Sequence, residues 1–254
     1  MKIVKVGTSQ GSLGKNLGTE KAPDVIIEEL KKLSVNEQGK TLFYEVDQVE
    51  VNKSNIEETN ERILEKEGDL FIGGDHSITY PLFKKVVQKT KNAGLIVFDA
   101  HPDCENNFIP PSHEDFIRVL VEEGTLKKEN LILVGIRSMD KKEQQYITEK
   151  RIKCYTMKEL RDNIEETCDT MMEIARLFDA LYISIDIDVV DPSQAPGTGY
   201  IEPAGMQARD LIYFIQRLKM LKNLRRVDLV EVNPQKDING MTTKLAAKIV
   251  GELL

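Results

Sequence analysis

Short apolar segments rich in β-branched residues recur along the chain, and segments with the apolar spacing of amphipathic helices lie between them. Eight of the apolar segments are predicted strands: residues 2–8, 41–50, 69–74, 94–100, 131–137, 152–157, 181–188 and 227–234. Strands that alternate with helices favour a parallel sheet with helices packed on both faces. We therefore expect an α/β fold with three layers, α/β/α, around a mostly parallel eight-stranded sheet.

The segments between the strands carry helix signals. Residues 54–68 place Ile56, Ile63 and Leu64 at helical spacing, with Ser54 as the expected N-cap and Gly68 as the expected stop. Five further segments are predicted helices: residues 23–33, 79–90, 158–178, 208–221 and 243–254. Because no linker, low-complexity tract or internal repeat interrupts the pattern, we expect residues 1–254 to form a single domain.

Composition narrows the range of partners. The formal net charge of -7 argues against a nucleic-acid backbone or an anionic membrane as the main partner. No segment approaches the ~20 apolar residues that a membrane helix needs, and the first ten residues lack the apolar stretch of a secretory signal. The three cysteines show no CxxC spacing, which indicates reduced thiols. We expect a cytoplasmic protein.

Acids and histidines follow three of the predicted strands. Asp186 and Asp188 lie two residues apart, and this spacing places both side chains on the same side of a strand. The segments DAHPD and GGDHS supply four more candidates: His76, Asp99, His101 and Asp103. Ligands of open α/β sheets bind outside the carboxyl ends of the strands, so we expect these six side chains to meet there.

A cluster of four carboxylates needs positive charge. Two divalent cations would cancel the four formal charges, and oxygen donors mixed with imidazole favour Mn²⁺ over a structural zinc site, although Zn²⁺, Co²⁺ and Ni²⁺ are not excluded by affinity alone. Any one of these acids, taken singly, is more typical of a turn or helix cap. Two of only three histidines lie in the same segments, however, and together the set favours a metal site. Val189 and Val190 follow Asp188, which disfavours a calcium loop.

Three segments, GGDHS, DAHPD and SIDIDVVDPSQAPGTG, resemble the signature segments of the ureohydrolase family, which includes arginases, agmatinases and formiminoglutamases. The resemblance extends from GTSQGSLG near the N-terminus to EVNP, and it implies an arginase-like fold with two Mn²⁺ per chain. It assigns one ion to His76, Asp99, Asp103 and Asp186. It assigns the other to Asp99, His101, Asp186 and Asp188, so that Asp99 and Asp186 bridge the pair. It leaves Asp75, Ser184 and Asp191 as supporting residues.

The same resemblance implies hydrolysis of a guanidino compound by a hydroxide that bridges the two metal ions, with Asp99 as a catalytic bridging ligand. His113, in PPSHEDF, resembles the histidine that protonates the departing amine. The alternative for His113 is a surface position in the first turn of a helix, where Ser112 and Asp115 look like a capping box. Glu231, in DLVEVNP, matches the acid that binds the guanidinium, and otherwise it is a strand-end acid.

The substrate tail is predicted from the loops. Glu105, Glu114 and Asp115 would repel a carboxylate and attract an ammonium, which favours agmatine over arginine, and APGTG followed by EP also resembles agmatinases. Asp140, in GIRSMD, resembles the arginase residue that contacts the α-amino group, and it suits either substrate. Glu105 and Glu114 have the alternative of being solvated loop acids. We therefore predict Glu231, Asp140 and Glu105 as contacts to a small cationic guanidino substrate.

Other functions stay open at this point. An arginase, another guanidino-acid hydrolase and a formiminoglutamase are the alternatives within the family. A zinc deacetylase of this general fold would hold one metal ion, and a catalytically silent relative would only bind a guanidino metabolite or a partner protein. The resemblance also implies a homo-oligomer, a trimer or hexamer.

Overall fold

A sheet of eight strands forms the centre of the computed structural model, which describes residues 1–254. The strands are β1 Lys2–Val6, β2 Glu45–Gln48, β3 Leu70–Gly73, β4 Ala93–Phe98, β5 Leu131–Ile136, β6 Lys153–Thr156, β7 Ala180–Asp186 and β8 Leu224–Val230. Their order across the sheet is β2-β1-β3-β8-β7-β4-β5-β6, and every pairing is parallel. The predicted α/β fold and its eight strands are confirmed.

Nine α-helices pack against the sheet. They are α1 Ala22–Leu30, α2 Ile56–Glu65, α3 Thr79–Val87, α4 Phe116–Glu122, α5 Lys141–Lys150, α6 Met157–Leu160, α7 Ile164–Ala175, α8 Ala208–Leu218 and α9 Met241–Leu253. Helices α1 and α6 to α9 bury one face, and α2 to α5 bury the other. None of them combines the length and the apolar character that crossing a bilayer requires.

Strands β4 and β7 lie side by side near the middle of the sheet, and every residue of both is buried. Successive side chains point to opposite faces, so Leu181 and Ile183 pack with the first helix layer and Tyr182 with the second. Burial on both faces explains why these strands are nearly all apolar. The polar exceptions in β7, Ser184 and Asp186, lie toward its carboxyl end, where the candidate site is expected.

Three local predictions differ from the structure. Asn55, not Ser54, is the N-cap of α2, because the Asn55 side chain accepts a hydrogen bond from the backbone N–H of Glu58 at 3.0 Å. Helix α2 also ends at Glu65, three residues before Gly68. The segment 158–178 is not one helix, because a capping box at Thr156 starts the short α6 and the chain turns before α7 begins at Ile164.

The helix predicted around His113 also begins later. Helix α4 starts at Phe116, and Asp115 makes no side-chain cap to it. Instead, the Ser112 hydroxyl donates to Asp115, and Asp115 accepts a further hydrogen bond from the backbone N–H of Asn106 at 2.9 Å. The predicted capping box is therefore wrong, and these contacts fold the loop before α4 back on itself. His113 lies within that loop.

Candidate metal centre and active site

The predicted metal ligands meet at the carboxyl ends of β3, β4 and β7. Nδ1 of His76 lies 3.1 Å from Asp99 Oδ2, 3.0 Å from Asp103 Oδ2 and 3.2 Å from Asp186 Oδ2. All four side chains are buried. The structure thus brings together the four residues that the family resemblance assigns to the first metal ion.

A second group lies beside the first. Nδ1 of His101 is 3.0 Å from Asp188 Oδ2 and 3.5 Å from Asp99 Oδ1. The ligand atoms of Asp99, His101 and Asp188 lie within 4.8 Å of one another, as do those of His76, Asp99 and Asp103. Asp99 belongs to both groups, which is the position that a bridging carboxylate would take.

Backbone hydrogen bonds fix these carboxylates. Asp99 Oδ1 accepts from the N–H of His101 at 2.7 Å, and Asp186 Oδ1 accepts from the N–H of Asp188 at 2.8 Å. Asp188 Oδ1 accepts from the N–H of Ala100 at 3.0 Å, which ties β7 to the end of β4. An aspartate that bonds to the backbone two residues on turns the chain sharply at the strand end. One oxygen of each carboxylate is thereby anchored, and the other points into the cluster.

A buried chain of hydrogen bonds orients His76. The Ser184 hydroxyl donates to Asp228 Oδ1 at 2.6 Å, and Nε2 of His76 lies 2.8 Å from the same hydroxyl oxygen. Since the single hydroxyl proton goes to Asp228, Ser184 accepts from His76, and we assign the imidazole proton to Nε2. Nδ1 then faces the carboxylates of the cluster, and it is the nitrogen available to a bound cation. A hydrogen-bond acceptor for the ring nitrogen that does not bind the metal is typical of metal-binding histidines.

The donor set fits divalent cations. Nδ1 of His76 and Oδ2 of Asp99 are both fully buried and neither forms an aligned hydrogen bond. Nδ1 can face carboxylate oxygens at about 3 Å only where positive charge, a proton or a bound cation, lies between them. Two imidazoles with four carboxylates and no thiolate suit a hard or borderline metal such as Mn²⁺. His76, Asp99, Asp103 and Asp186 would hold one such ion.

The electrostatics of the carboxylate cluster also favour bound cations. Burial raises the pKa of the Asp103 carboxyl well above its ordinary value, and repulsion from Asp99 adds to the rise. Burial also raises the pKa of the Asp186 carboxyl well above its ordinary value, and repulsion from Asp188 adds to that rise. A cation within a few ångströms favours the charged carboxylates and opposes both effects. The cluster is therefore much better suited to bound cations than to protons alone.

Two site residues adopt a strained backbone. Asp103 has a φ of 49° and Glu231 a φ of 63°, in the left-handed region that side chains other than glycine rarely occupy. Each such residue costs of order 1–3 kcal/mol and persists where the surroundings hold it in place. In this conformation the Asp103 carboxylate faces His76, and the chain turns at Glu231, directly after β8. Both side chains line the cavity.

Glu231 and His113 form a buried pair. Nδ1 of His113 lies 3.0 Å from Glu231 Oε1, which also accepts the backbone N–H of His76 at 2.7 Å. Burial lowers the pKa of His113, but the Glu231 carboxylate outweighs it and raises the pKa to about 9. Burial raises the pKa of Glu231, and the hydrogen bond from His113 brings it below the ordinary value. Glu231 is thus ionised, and His113 holds a proton at neutral pH.

The N-terminal loop closes over this pair. Asn16 donates from Nδ2 to Glu231 Oε2 at 2.6 Å, and the carbonyl of Gly11 accepts from the backbone N–H of His113 at 3.0 Å. The N–H of Gly11 in turn donates to Asp75 Oδ2 at 3.0 Å. A Cβ at Gly11 would lie 2.6 Å from Asp75 and even closer to Ser77, so only glycine fits this approach. Asp75 therefore supports the site by holding the N-terminal loop.

The cluster opens into a cavity of about 110 Å³. Besides metal ligands, the cavity is lined by Glu105, His113, Glu114, Glu143, Thr198, Tyr200 and Glu231. Of the predicted substrate contacts, Glu105 and Glu231 therefore lie in the cavity wall. Asp140 is not among the lining residues. Its carboxylate caps α5 by accepting the N–H of Glu143 at 2.8 Å.

Several residues of the site escaped the sequence patterns. Glu143, rather than Asp140, lines the cavity. Its carboxylate accepts hydrogen bonds from the backbone N–H groups of Cys104 and Asp140. Asn16 and Tyr200 come from distant loops, and their only sequence signal is proximity to the family segments GTSQGSLG and APGTG. Asp228 is buried within β8. Its sequence signal is an acid among the apolar residues of a predicted strand.

Comparison with known proteins identifies the family of the chain. A sequence profile described as the Arginase family matches residues 3–254. Arginase from Staphylococcus aureus (strain COL) is 32% identical over 92% of this chain and 81% of its own length. Formimidoylglutamase from Halalkalibacterium halodurans is 32% identical over 87% of this chain and 72% of its own. The crystal structure of formimidoylglutamase from Bacillus subtilis superposes with a TM-score of 0.93 at 25% identity, covering 99% of this chain and 85% of that one.

The chain belongs to the arginase family of ureohydrolases, and it is an amidinohydrolase. The family predicted from the three signature segments is confirmed.

Replacing Ser184 with alanine should weaken metal binding. Ser184→Ala leaves Nε2 of His76 without its acceptor, so we expect affinity for Mn²⁺ to fall roughly 10- to 100-fold. Titration followed by electron paramagnetic resonance of free Mn²⁺ measures this. Ser193→Ala removes a hydroxyl that bonds only to Asp191 on an exposed loop, and it should bind like the wild type. Equal Mn²⁺ affinity of both variants would contradict the assigned orientation of His76.

The contact between His113 and Glu231 predicts the pH at which His113 loses its proton. In metal-free protein, His113 should keep its proton below about pH 9 and lose it as pH rises through that value. Carboxylates raise the pKa of His76 and of His101, so they should hold their protons in this range. Glu231→Gln should move the His113 midpoint down toward ~6.5. Imidazole NMR measures both midpoints, with His113→Asn identifying the signal, and a midpoint that Glu231→Gln leaves in place would refute the pairing.

Proposed function

We propose that the protein hydrolyses a small cationic guanidino compound, with agmatine as the preferred substrate, to urea and a diamine. The observation that carries the substrate class is the charge of the cavity wall. Three glutamates, Glu105, Glu114 and Glu143, line it in addition to the metal ligands and Glu231, and no lysine or arginine does. A substrate carboxylate would meet like charge here, whereas an ammonium would meet opposite charge.

Two Mn²⁺ per chain are part of this proposal. The six ligands His76, Asp99, His101, Asp103, Asp186 and Asp188 would hold them, with Asp99 and Asp186 shared. When bound, the two cations lower the pKa of a water from ~15.7 toward ~7 and so supply the nucleophile that a delocalised guanidinium carbon requires.

Side chains of the pocket bind the guanidinium and supply the proton. Glu231 is ionised and buried, and its carboxylate accepts charge-assisted hydrogen bonds from the guanidinium. His113 carries a proton at neutral pH, and it gives that proton to the nitrogen of the departing amine. The N-terminal loop holds both residues in place through Asn16 and Gly11.

Glu105 is the predicted tail residue that adds negative charge near the substrate's ammonium end. It lines the cavity and is partly exposed at its mouth. Asp140 contributes indirectly in this proposal, because its capping box with Glu143 fixes a carboxylate that does line the cavity. Glu143 and Glu105 together make the outer part of the pocket acidic.

Hydrolysis of arginine is the second candidate. Relatives named arginase favour it, and Lys15 lies beside Glu114 at the cavity mouth, where a substrate carboxylate would meet a cation. Relatives named formimidoylglutamase favour a third substrate of the same class. Agmatine is preferred because Lys15 is already paired with an acid and does not itself line the cavity.

The test is a substrate panel with manganese-loaded protein. Agmatine, arginine, guanidinobutyrate and formiminoglutamate are compared by release of urea or formamide, and we expect agmatine to have the highest kcat/KM. Two metal ions per chain are expected by elemental analysis, whereas one would indicate a deacetylase-like site. Asp188→Ala should lose turnover while keeping its circular dichroism spectrum. Preference for arginine would reject the substrate, and no product from any compound would reject the reaction class.

Assembly into a trimer or hexamer and a cytoplasmic location stay predictions from the family resemblance and the composition.

A further inference from the structure

Three side chains from three different loops meet at the mouth of the cavity. Nζ of Lys15 lies 2.6 and 2.7 Å from the two carboxylate oxygens of Glu114. The hydroxyl of Tyr200 donates to Glu114 Oε1 at 2.7 Å. Lys15 belongs to the N-terminal loop, Glu114 to the loop before α4, and Tyr200 to the loop after β7. We call these three residues the mouth cluster.

The mouth cluster adjoins the reacting end of the pocket. The Tyr200 ring centroid lies 5.4 Å from that of His101 and 6.1 Å from that of His113. Glu114 Oε1 is 3.8 Å from Nε2 of His113, and this nitrogen is buried without a hydrogen-bond partner. A chain that extends from the His113 end of the pocket can therefore contact Tyr200 and Glu114.

The size of the cavity requires the substrate chain to extend in this way. Its volume of about 110 Å³ is smaller than the ~150 Å³ of an engineered cavity that holds one benzene molecule. A guanidinium group fits in this space, but a four-carbon chain with a terminal ammonium does not fit beside it. The tail of agmatine must therefore lie at the mouth, within reach of the acids there.

We propose that the Glu114 carboxylate is the binding position for the substrate's terminal ammonium, and that Lys15 occupies this position until the substrate displaces it. This inference rests on the proposed function and names the residue that selects the tail. Lys15 Nζ and the end of agmatine are the same chemical group, a primary alkylammonium. The structure thus shows how this pocket holds that group, with both carboxylate oxygens engaged and Tyr200 fixing the acid.

The exposure of the two partners allows the exchange. The Lys15 side chain is 47% exposed, whereas that of Glu114 is 22% exposed and lines the cavity. Lys15 can therefore swing into water and regain side-chain freedom, while Glu114 stays in the wall. Leaving Glu114 without a cation would be costly, so release of Lys15 is coupled to arrival of another ammonium.

Two substrates of equal length isolate the contribution of the terminal ammonium. Agmatine carries the terminal ammonium, and pentylguanidine carries a methyl group at the same position. The measured quantity is kcat/KM for agmatine divided by kcat/KM for pentylguanidine, with manganese-loaded protein. Glu114→Gln should lower this ratio roughly 10- to 100-fold, because a hydrogen bond to a charged group is lost. Lys15→Met should raise the ratio several-fold, because the competing ammonium is gone.

Lys31→Met is the matched control. It removes one positive charge from an exposed Lys31–Glu28 pair on the surface near α1, so it changes net charge as Lys15→Met does, and it should leave the ratio unchanged. An unchanged ratio in both Glu114→Gln and Lys15→Met overturns the inference while agmatine hydrolysis stands. A Lys15→Met variant that loses activity on arginine instead makes Lys15 a carboxylate contact and also overturns it. Absence of urea from both compounds removes the proposed function and the inference together.

Discussion

Repulsion among buried carboxylates is the constraint on which this structure depends. Asp99, Asp103, Asp186 and Asp188 converge at the ends of two adjacent strands, away from water. Burial raises the pKa of Asp103 and of Asp186, and repulsion from neighbouring carboxylates adds to the rise. Histidines at the same position relieve part of that repulsion, and a pair of bound cations would relieve more of it. The fold therefore supplies a place where binding positive charge is strongly favourable.

The surrounding structure holds this unfavourable arrangement in place. Four neighbouring strands, β3, β8, β7 and β4, bring their carboxyl ends to one edge of the sheet. Backbone N–H groups fix one oxygen of each strand-end aspartate, and strain at Asp103 and Glu231 aims two more acids inward. The apolar layers on both faces of the sheet provide the stability that offsets these costs. A rigid sheet and strained loops thus act together to shape the site.

Much of the fold and the metal cluster follows from sequence because both depend on local patterns. Apolar runs predict the eight strands. The spacing of Asp186 and Asp188 predicts both on one strand, but β7 ends at Asp186 and Asp188 lies in the short 3-10 helix that follows. Features set by long-range contacts do not follow in this way. The position of His113 in a loop depends on contacts that involve Gly11 and Asn106. Likewise the contact between Asn16 and Glu231 joins residues more than two hundred positions apart. The capping of α5 by Asp140, in contrast, follows the local spacing of a capping box with Glu143.

The central claim is that the cluster traps a cation pair. Diffraction data collected from manganese-soaked crystals on both sides of the manganese absorption edge test it directly. The account predicts two anomalous peaks per chain, one bound by Nδ1 of His76 and one by Nδ1 of His101, with Asp99 contacting both. A cluster without anomalous density, or a single peak that Asp99 does not share, would contradict it.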